Sequence, residues 1–184
     1  MGQLILFNMM SLDGFFEGKN EALDWHNVDD EFNEFTLGQL NAADHLIFGR
    51  KTYKIMVEYW PTKEAITNYP AIADRMNGTT KTVFSTTLGK ANWENTKLFQ
   101  NEVLKVVGEL KKSSERDILI FGSANLSETL IKNGLIDVFR IMINPVILGS
   151  GNPLFLNAIK QMDLNLITVN SFKSGNVLVE YTPK

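Results

Sequence analysis

Residues Asp117-Ile118-Leu119-Ile120-Phe121-Gly122-Ser123-Ala124-Asn125-Leu126 read as a strand that turns straight into a helix. Asp117–Phe121 is an apolar, β-branched run. Glycine and small residues follow it, and Leu126, Leu130 and Ile131 then fall at helical spacing. A strand-to-helix turn of this kind leaves bare backbone N–H groups at a helix N-terminus. The unpaired donors and the helix dipole there both favour an anion, phosphate above all. A plain structural connection carries the same local signature, so the meaning of the turn depends on the rest of the chain.

Upstream, the same grammar repeats. Leu4–Met10 is apolar enough for a first strand, and 11–24, with Ser11-Leu12-Asp13-Gly14 and Gly18-Lys19-Asn20, reads as a long loop. Asp29 or Asp30 can cap a helix carrying Phe32, Phe35, Leu37 and Leu40. Asp44–Gly49 is a strand ending in glycine, Arg50–Glu58 a helix stopped at Trp60-Pro61, and Asn68–Met76 a helix with Pro70 in its first turn. Thr80–Ser85 is a strand with hydroxyls at its exit, Lys97–Phe99 a short extended piece, and Glu102–Lys112 an amphipathic helix. After the helix 124–133, closed by Asn133-Gly134, come a strand 136–143 and a loop Gly149–Pro153. Two strands, 164–172 and 177–181, joined at Lys173–Asn176 complete the chain. Strands alternating with helices, then a terminal hairpin, predict an α/β protein: a mostly parallel sheet with antiparallel strands at its C-terminal edge. With 184 residues and no repeat or linker, a single domain over 1–184 is expected.

Composition excludes several functions. There is no cysteine, hence no disulfide, thiolate metal site or cysteine nucleophile. The net charge of −3 comes without a basic run, which argues against nucleic acid as a partner. His26 and His45 are the only histidines and lack a metal-ligand spacing, so no metal is expected. No apolar stretch reaches the roughly 20 residues needed to span a bilayer. The N-terminus reads as a strand rather than a signal peptide, so a cytoplasmic protein is expected. Neither a Gly-x-Ser-x-Gly elbow nor a Gly-Lys-Ser/Thr loop occurs, which speaks against a hydrolase or a P-loop NTPase.

Three strand ends now align: Phe48-Gly49-Arg50-Lys51-Thr52-Tyr53, Val83-Phe84-Ser85-Thr86 and Phe121-Gly122-Ser123-Ala124. Ligands of open α/β sheets sit outside the carboxyl ends of strands, so the three could meet at one crevice. Together they resemble the three-layer dihydrofolate reductase-like fold. More closely, the chain resembles the reductase domain of the bifunctional riboflavin-biosynthesis deaminase/reductase and its stand-alone bacterial relatives. The resemblance is carried by Ser11-Leu12-Asp13-Gly14, the Phe-Gly-Arg-x-Thr-Tyr motif at 48–53, Tyr59-Trp60-Pro61-Thr62, and a C-terminal block, Asn133–Asp137, Asn144–Gly151 and Leu154-Phe155. No His-x-Glu with Pro-Cys-x-x-Cys is present, so the zinc deaminase half is absent.

The resemblance implies NADPH as cofactor. It places Gly49, Arg50, Lys51 and Thr52 beneath the phosphates, Ser85 and Thr86 at the adenosine ribose or its 2′-phosphate, and Gly122, Ser123, Ala124, Asn125 and Leu126 as the second wall. Many members carry two or three glycines where this chain has Gly122-Ser123-Ala124. Asp13 borders nicotinamide and substrate in the family and is the candidate catalytic residue; an ordinary Asp-Gly turn is its other reading. Glu34 lies on the first helix, where dihydrofolate reductase carries its pterin-binding carboxylate; a solvated surface glutamate is the favoured reading. Trp25, Tyr59 and Trp60 could stack on a flat heterocycle or pack in the core. The expected activity is NADPH-dependent hydride transfer to a small heterocycle or a ribosylamino-pyrimidine of the riboflavin branch, in the manner of 5-amino-6-(5-phosphoribosylamino)uracil reductase. The alternative is a non-catalytic protein that keeps the fold to bind a nucleotide or small ligand. A homodimer built through the C-terminal strands around Asp137–Ile147 is expected by resemblance.

Overall fold

The computed structural model describes residues 2–155 and 160–184. In chain order the elements are β1 (Leu4–Ser11), β2 (Phe15–Gly18), α1 (Asp30–Ala42), β3 (Ala43–Gly49), α2 (Arg50–Tyr59), α3 (Lys63–Asn68), α4 (Pro70–Gly78), β4 (Thr80–Phe84) and β5 (Thr96–Phe99). They continue with α5 (Val103–Ser113), β6 (Asp117–Phe121), α6 (Ala124–Lys132), β7 (Val138–Asn144), β8 (Gly151–Pro153), β9 (Leu164–Ser171) and β10 (Val177–Pro183). Eight strands form one sheet in the order β5-β4-β3-β6-β1-β7-β10-β9. Every pairing from β5 through β7 is parallel, and β7–β10 and β10–β9 are antiparallel.

β6 explains the layering. It pairs with β1 on one side and β3 on the other, and Ile118, Leu119 and Ile120 are completely buried. Leu119 and Phe121 point into a core shared with Phe32 and Leu40 of α1, Tyr53 of α2, and Ile72 and Met76 of α4. Ile118 and Ile120 point the other way, against Val106 and Val107 of α5 and Leu126, Leu130 and Ile131 of α6. A strand covered on both faces needs an unbroken apolar run instead of alternation. The result is helix, sheet, helix: a mixed α/β, three-layer architecture with a mostly parallel sheet and a C-terminal antiparallel hairpin.

Three elements depart from the sequence reading. The loop 11–24 contains β2, and the loop Gly149–Pro153 contains β8; the two pair antiparallel across more than a hundred residues. Strands of four and three residues carry no usable periodicity, and only their distant partner makes them strands. α3 is an additional helix, capped by Thr62, whose hydroxyl accepts from the Ala65 N–H at 3.2 Å. Ala65 is its one buried residue, so no apolar stripe announced it. Asn68 therefore ends α3, and Tyr69 breaks the backbone before Pro70 opens α4. At α1 the cap is Asp29, which accepts from the Phe32 N–H at 2.8 Å. His45 is buried and bonds Thr82 Oγ1 on the neighbouring strand at 2.9 Å.

One buried charge holds the far side of the sheet. Lys81 on β4 is fully buried, and its ammonium donates to the carbonyls of Met76, Asn77 and Thr79 at 2.9, 2.8 and 2.7 Å. It also lies over the Trp93 ring at 4.6 Å, and burial pushes its pKa down to about 8. A cation at the carbonyl end of α4 completes that helix and opposes its negative pole. Lys81→Met is expected to cost about 3 kcal/mol, because the carbonyls lose a charged donor while remaining buried. For a chain of this size that is a fall of roughly 6–12 °C in Tm, read by thermal denaturation.

Candidate active site

β4, β3 and β6 are neighbours in the sheet, so their carboxyl ends are side by side. Phe84 is level with Gly49, and Phe48 with Phe121. From adjacent ends α2 leaves toward one core and α6 toward the other. Parallel neighbours whose helices depart to opposite faces open a crevice between their turns. Both helices start without a side-chain cap, unlike α1 and α3. Their first N–H groups are thus left for something else to satisfy.

The two turns touch. A Cβ on Gly49 would collide with the Ser123 side chain, whose own Cβ lies 2.6 Å from that point. Gly122 has φ +60°, and a Cβ there would sit 3.0 Å from Thr52 Oγ1. Ser123 also has a left-handed backbone, φ 66° and ψ 86°. Glycine adopts this conformation freely, whereas serine holds strain of about 1 kcal/mol. The serine therefore fills space against Gly49 that a glycine would leave open.

The crevice leads into a cavity of about 410 Å³. Phe7 and Phe121, edge to face at 5.9 Å, belong to its lining. Asn8 reaches it from β1, Asn33 and Thr36 from α1, Thr52, Met56 and Tyr59 from α2, and His26 from the segment before α1. Asn8 Nδ2, His26 Nε2 and Thr36 Oγ1 are buried with no hydrogen-bond partner in the protein. Buried polar atoms are nearly always paired. Three such orphans belong to residues of one concave, largely apolar cavity, where a ligand could supply their partners. Burial pushes the His26 imidazole down to about 4, which leaves it neutral at pH 7.

Residues 3–179 match the model of the RibD C-terminal domain. The chain belongs to the RibD C-terminal domain family. It is 35% identical over 182 residues to the uncharacterized protein YyaP of Bacillus subtilis (strain 168), covering 97% of this chain and 94% of that one. A Shewanella sp. PV-4 protein named for riboflavin biosynthesis has the same fold, with a TM-score of 0.76, 22% identity and 99% of each chain covered. The fold also recurs in a Thermotoga maritima diaminohydroxyphosphoribosylaminopyrimidine deaminase/5-amino-6-(5-phosphoribosylamino)uracil reductase, with a TM-score of 0.69 and 15% identity over all of this chain and 57% of that one.

In this RibD C-terminal domain, Lys51, Thr52, Tyr59, Trp60 and Gly122 line the cavity. Gly49, Arg50, Ser123, Ala124, Asn125 and Leu126 lie along the two turns outside it, and Leu126 is buried in the α6 core. Ser85 caps its own loop, accepting from the N–H groups of Thr87 and Leu88 at 3.2 and 2.9 Å, and Thr86 is exposed. Lys51 is ion-paired with Glu21, which raises its pKa. Trp25 stands beside the cavity, edge to face with His26 at 4.5 Å. Glu34 points to solvent; Asn33 and Thr36 are the polar residues that α1 gives to the cavity.

Asp13 is exposed and outside the cavity. Its carboxylate accepts from the N–H groups of Leu148 and Gly149 at 3.1 and 2.8 Å. The Ser11 hydroxyl, with those N–H groups, holds it below the usual carboxylate range. In this position it anchors the loop that leads to β8. Among the described residues no group of three His, Asp or Glu side chains could hold a metal, and no helix is long and apolar enough to cross a membrane.

Sequence reasoning did not single out Asn8, Asn33, Thr36 or His26 as cavity residues. Asn8 had a signal, since it is the polar residue inside an apolar strand. Thr36 follows Phe32 by one helical turn, on the buried stripe. Ser123→Gly is expected to raise stability by about 0.5–1 kcal/mol by relieving the left-handed strain, measured by chemical denaturation.

Proposed function

We propose that this chain is an NADPH-dependent reductase that passes hydride to a small heterocycle of the pyrimidine type. The observation that carries this reading is the crevice between two uncapped helix N-termini, opening into a cavity with orphaned polar atoms. Membership of the RibD C-terminal domain family and the reductase named for the Thermotoga protein support it. The groups present suit the cofactor. The turns Gly49–Thr52 and Gly122–Leu126 would take the phosphates on backbone N–H groups, with Arg50 as the unpaired cation beside them. Thr86 would meet the ribose end, because Ser85 is already committed to its loop. Bound there, NADPH supplies the hydride. Tyr59 and Trp60 would lie along a flat substrate ring, and Phe7 and Phe121 exclude water from the reacting faces.

Following NADPH fluorescence during titration tests this reading. Saturable binding is expected, with Gly122→Val weakening it at least tenfold by crowding Thr52, and with oxidation once a suitable heterocycle is added. Absence of saturable binding at millimolar NADPH overturns the cofactor assignment. Binding without oxidation across pterins, flavin precursors and quinones favours a protein that uses the crevice for ligand binding alone.

We also propose a homodimer. β7, which spans most of Asp137–Ile147, is an interior strand; the edge strands of the sheet are β5, which carries Lys97, and β9. Its sequence, Leu164–Ser171, carries no charge, and Leu166, Ile167 and Val169 are each at least half exposed. Monomeric proteins guard such edges with charge. An unguarded apolar edge suits a second copy related by a two-fold axis. Sedimentation is expected to show twice the 20.8 kDa chain mass, and Val169→Lys to return the monomer. A wild-type monomer at micromolar concentration overturns it.

A further inference from the structure

We infer that the substrate end of the cavity takes an uncharged planar ring that bears no phosphate. The word substrate rests on the reductase reading above; the binding chemistry does not. Away from Gly122 the walls are Phe32, Ile55, Met56, Tyr59, Trp60 and Tyr69. Flat and aliphatic surfaces of this kind gain from desolvating a ring and offer nothing to an anion.

The polar groups at that end are neutral. His26 Nε2 and Thr36 Oγ1 are buried and unpartnered, so a ring with donor or acceptor edges opposite them restores hydrogen bonds whose absence is costly. Burial keeps His26 uncharged. α1 contributes Asn33 and Thr36 while Glu34 stays in solvent, so no carboxylate from that helix is available to pair a cationic ring.

Glu17 and Lys51 are the charged residues of the lining, and each already has a partner. Lys51 is paired with Glu21, and Glu17 accepts from Asn152 Nδ2 at 2.8 Å. The one lining ammonium is thus already committed to a carboxylate, and Arg50 lies on the cofactor turn outside the cavity. A phosphate is held best by an arginine fork or a cluster of free cations, and among the described lining residues there is neither. A ribose phosphate of the kind in the Thermotoga enzyme's name would find no free cation among those residues and would lose hydration without a partner.

Three ligands that share one ring system test this without NADPH: lumichrome, riboflavin and riboflavin 5′-phosphate, followed by quenching of ligand and tryptophan fluorescence. Lumichrome and riboflavin are expected to bind saturably, and the phosphate to weaken riboflavin binding at least tenfold. His26→Leu and Thr36→Val, checked for unchanged thermal melting, are each expected to weaken lumichrome binding roughly tenfold. Equal or tighter binding of the phosphate ester overturns the inference, whether or not Lys51→Ala removes it. So does the absence of saturable lumichrome and riboflavin binding up to about 1 mM, or indifference of lumichrome binding to both cavity variants. Because no cofactor is present, failure of the reductase reading shows separately, as absent NADPH binding with ring binding intact.

Discussion

The insertion of β6 between β1 and β3 is the constraint on which the rest of this molecule depends. Ile118–Phe121 must be apolar on both sides, because helices cover both faces of the sheet at that point. Burying a residue such as Ile118, Leu119 or Ile120 contributes about 2–3 kcal/mol each, so the position tolerates no polar interruption. The same insertion brings the ends of β3 and β6 together, although Gly49 and Gly122 are far apart in the chain. α2 and α6 must then leave on opposite sides, and the crevice follows from packing alone.

The cavity is a consequence of that geometry with one asymmetry added. Phe7 and Phe121 form its floor, edge to face, and Phe48 stacks on Phe121 beside them at 5.9 Å without lining the cavity. Its sides come from α1, α2 and α4, which are held on that face by the same core. The β2–β8 ribbon closes one flank and is tied down by Asp13 through the loop before β8. Polar atoms are admitted sparingly, and those left without partners belong to β1, α1 and the segment between them. Strand ends and turns thus form the crevice, and neutral polar side chains face the cavity.

Much of this was legible in the chain. Apolar runs ending in glycine gave the parallel strands, Asp29 gave the start of α1, and the final pair of strands gave the hairpin. The two turns at Gly49 and Gly122 could be recognised as partners because strand ends in such sheets share one side. The polar residues of the cavity were not legible. Asn8 and Thr36 sit at positions that periodicity assigns to the core, and a core position says nothing about whether its neighbour is protein or ligand. Asp13 and Glu34 attracted notice by charge, yet the first binds backbone and the second faces water, because residue type does not report orientation.

The sequence by itself determined the order of the longer strands and helices, the class of sheet and the main places where the chain must turn. These are properties of local periodicity, capping and backbone freedom, all encoded within a few residues. The tertiary structure alone decided that β2 and β8 pair, that Ser123 fills the space beside Gly49, and that Asn8, His26 and Thr36 converge on one cavity. Each of these depends on residues distant in the chain being brought to within contact distance. The energy that places them comes from burial of the whole sheet, which no local segment contains.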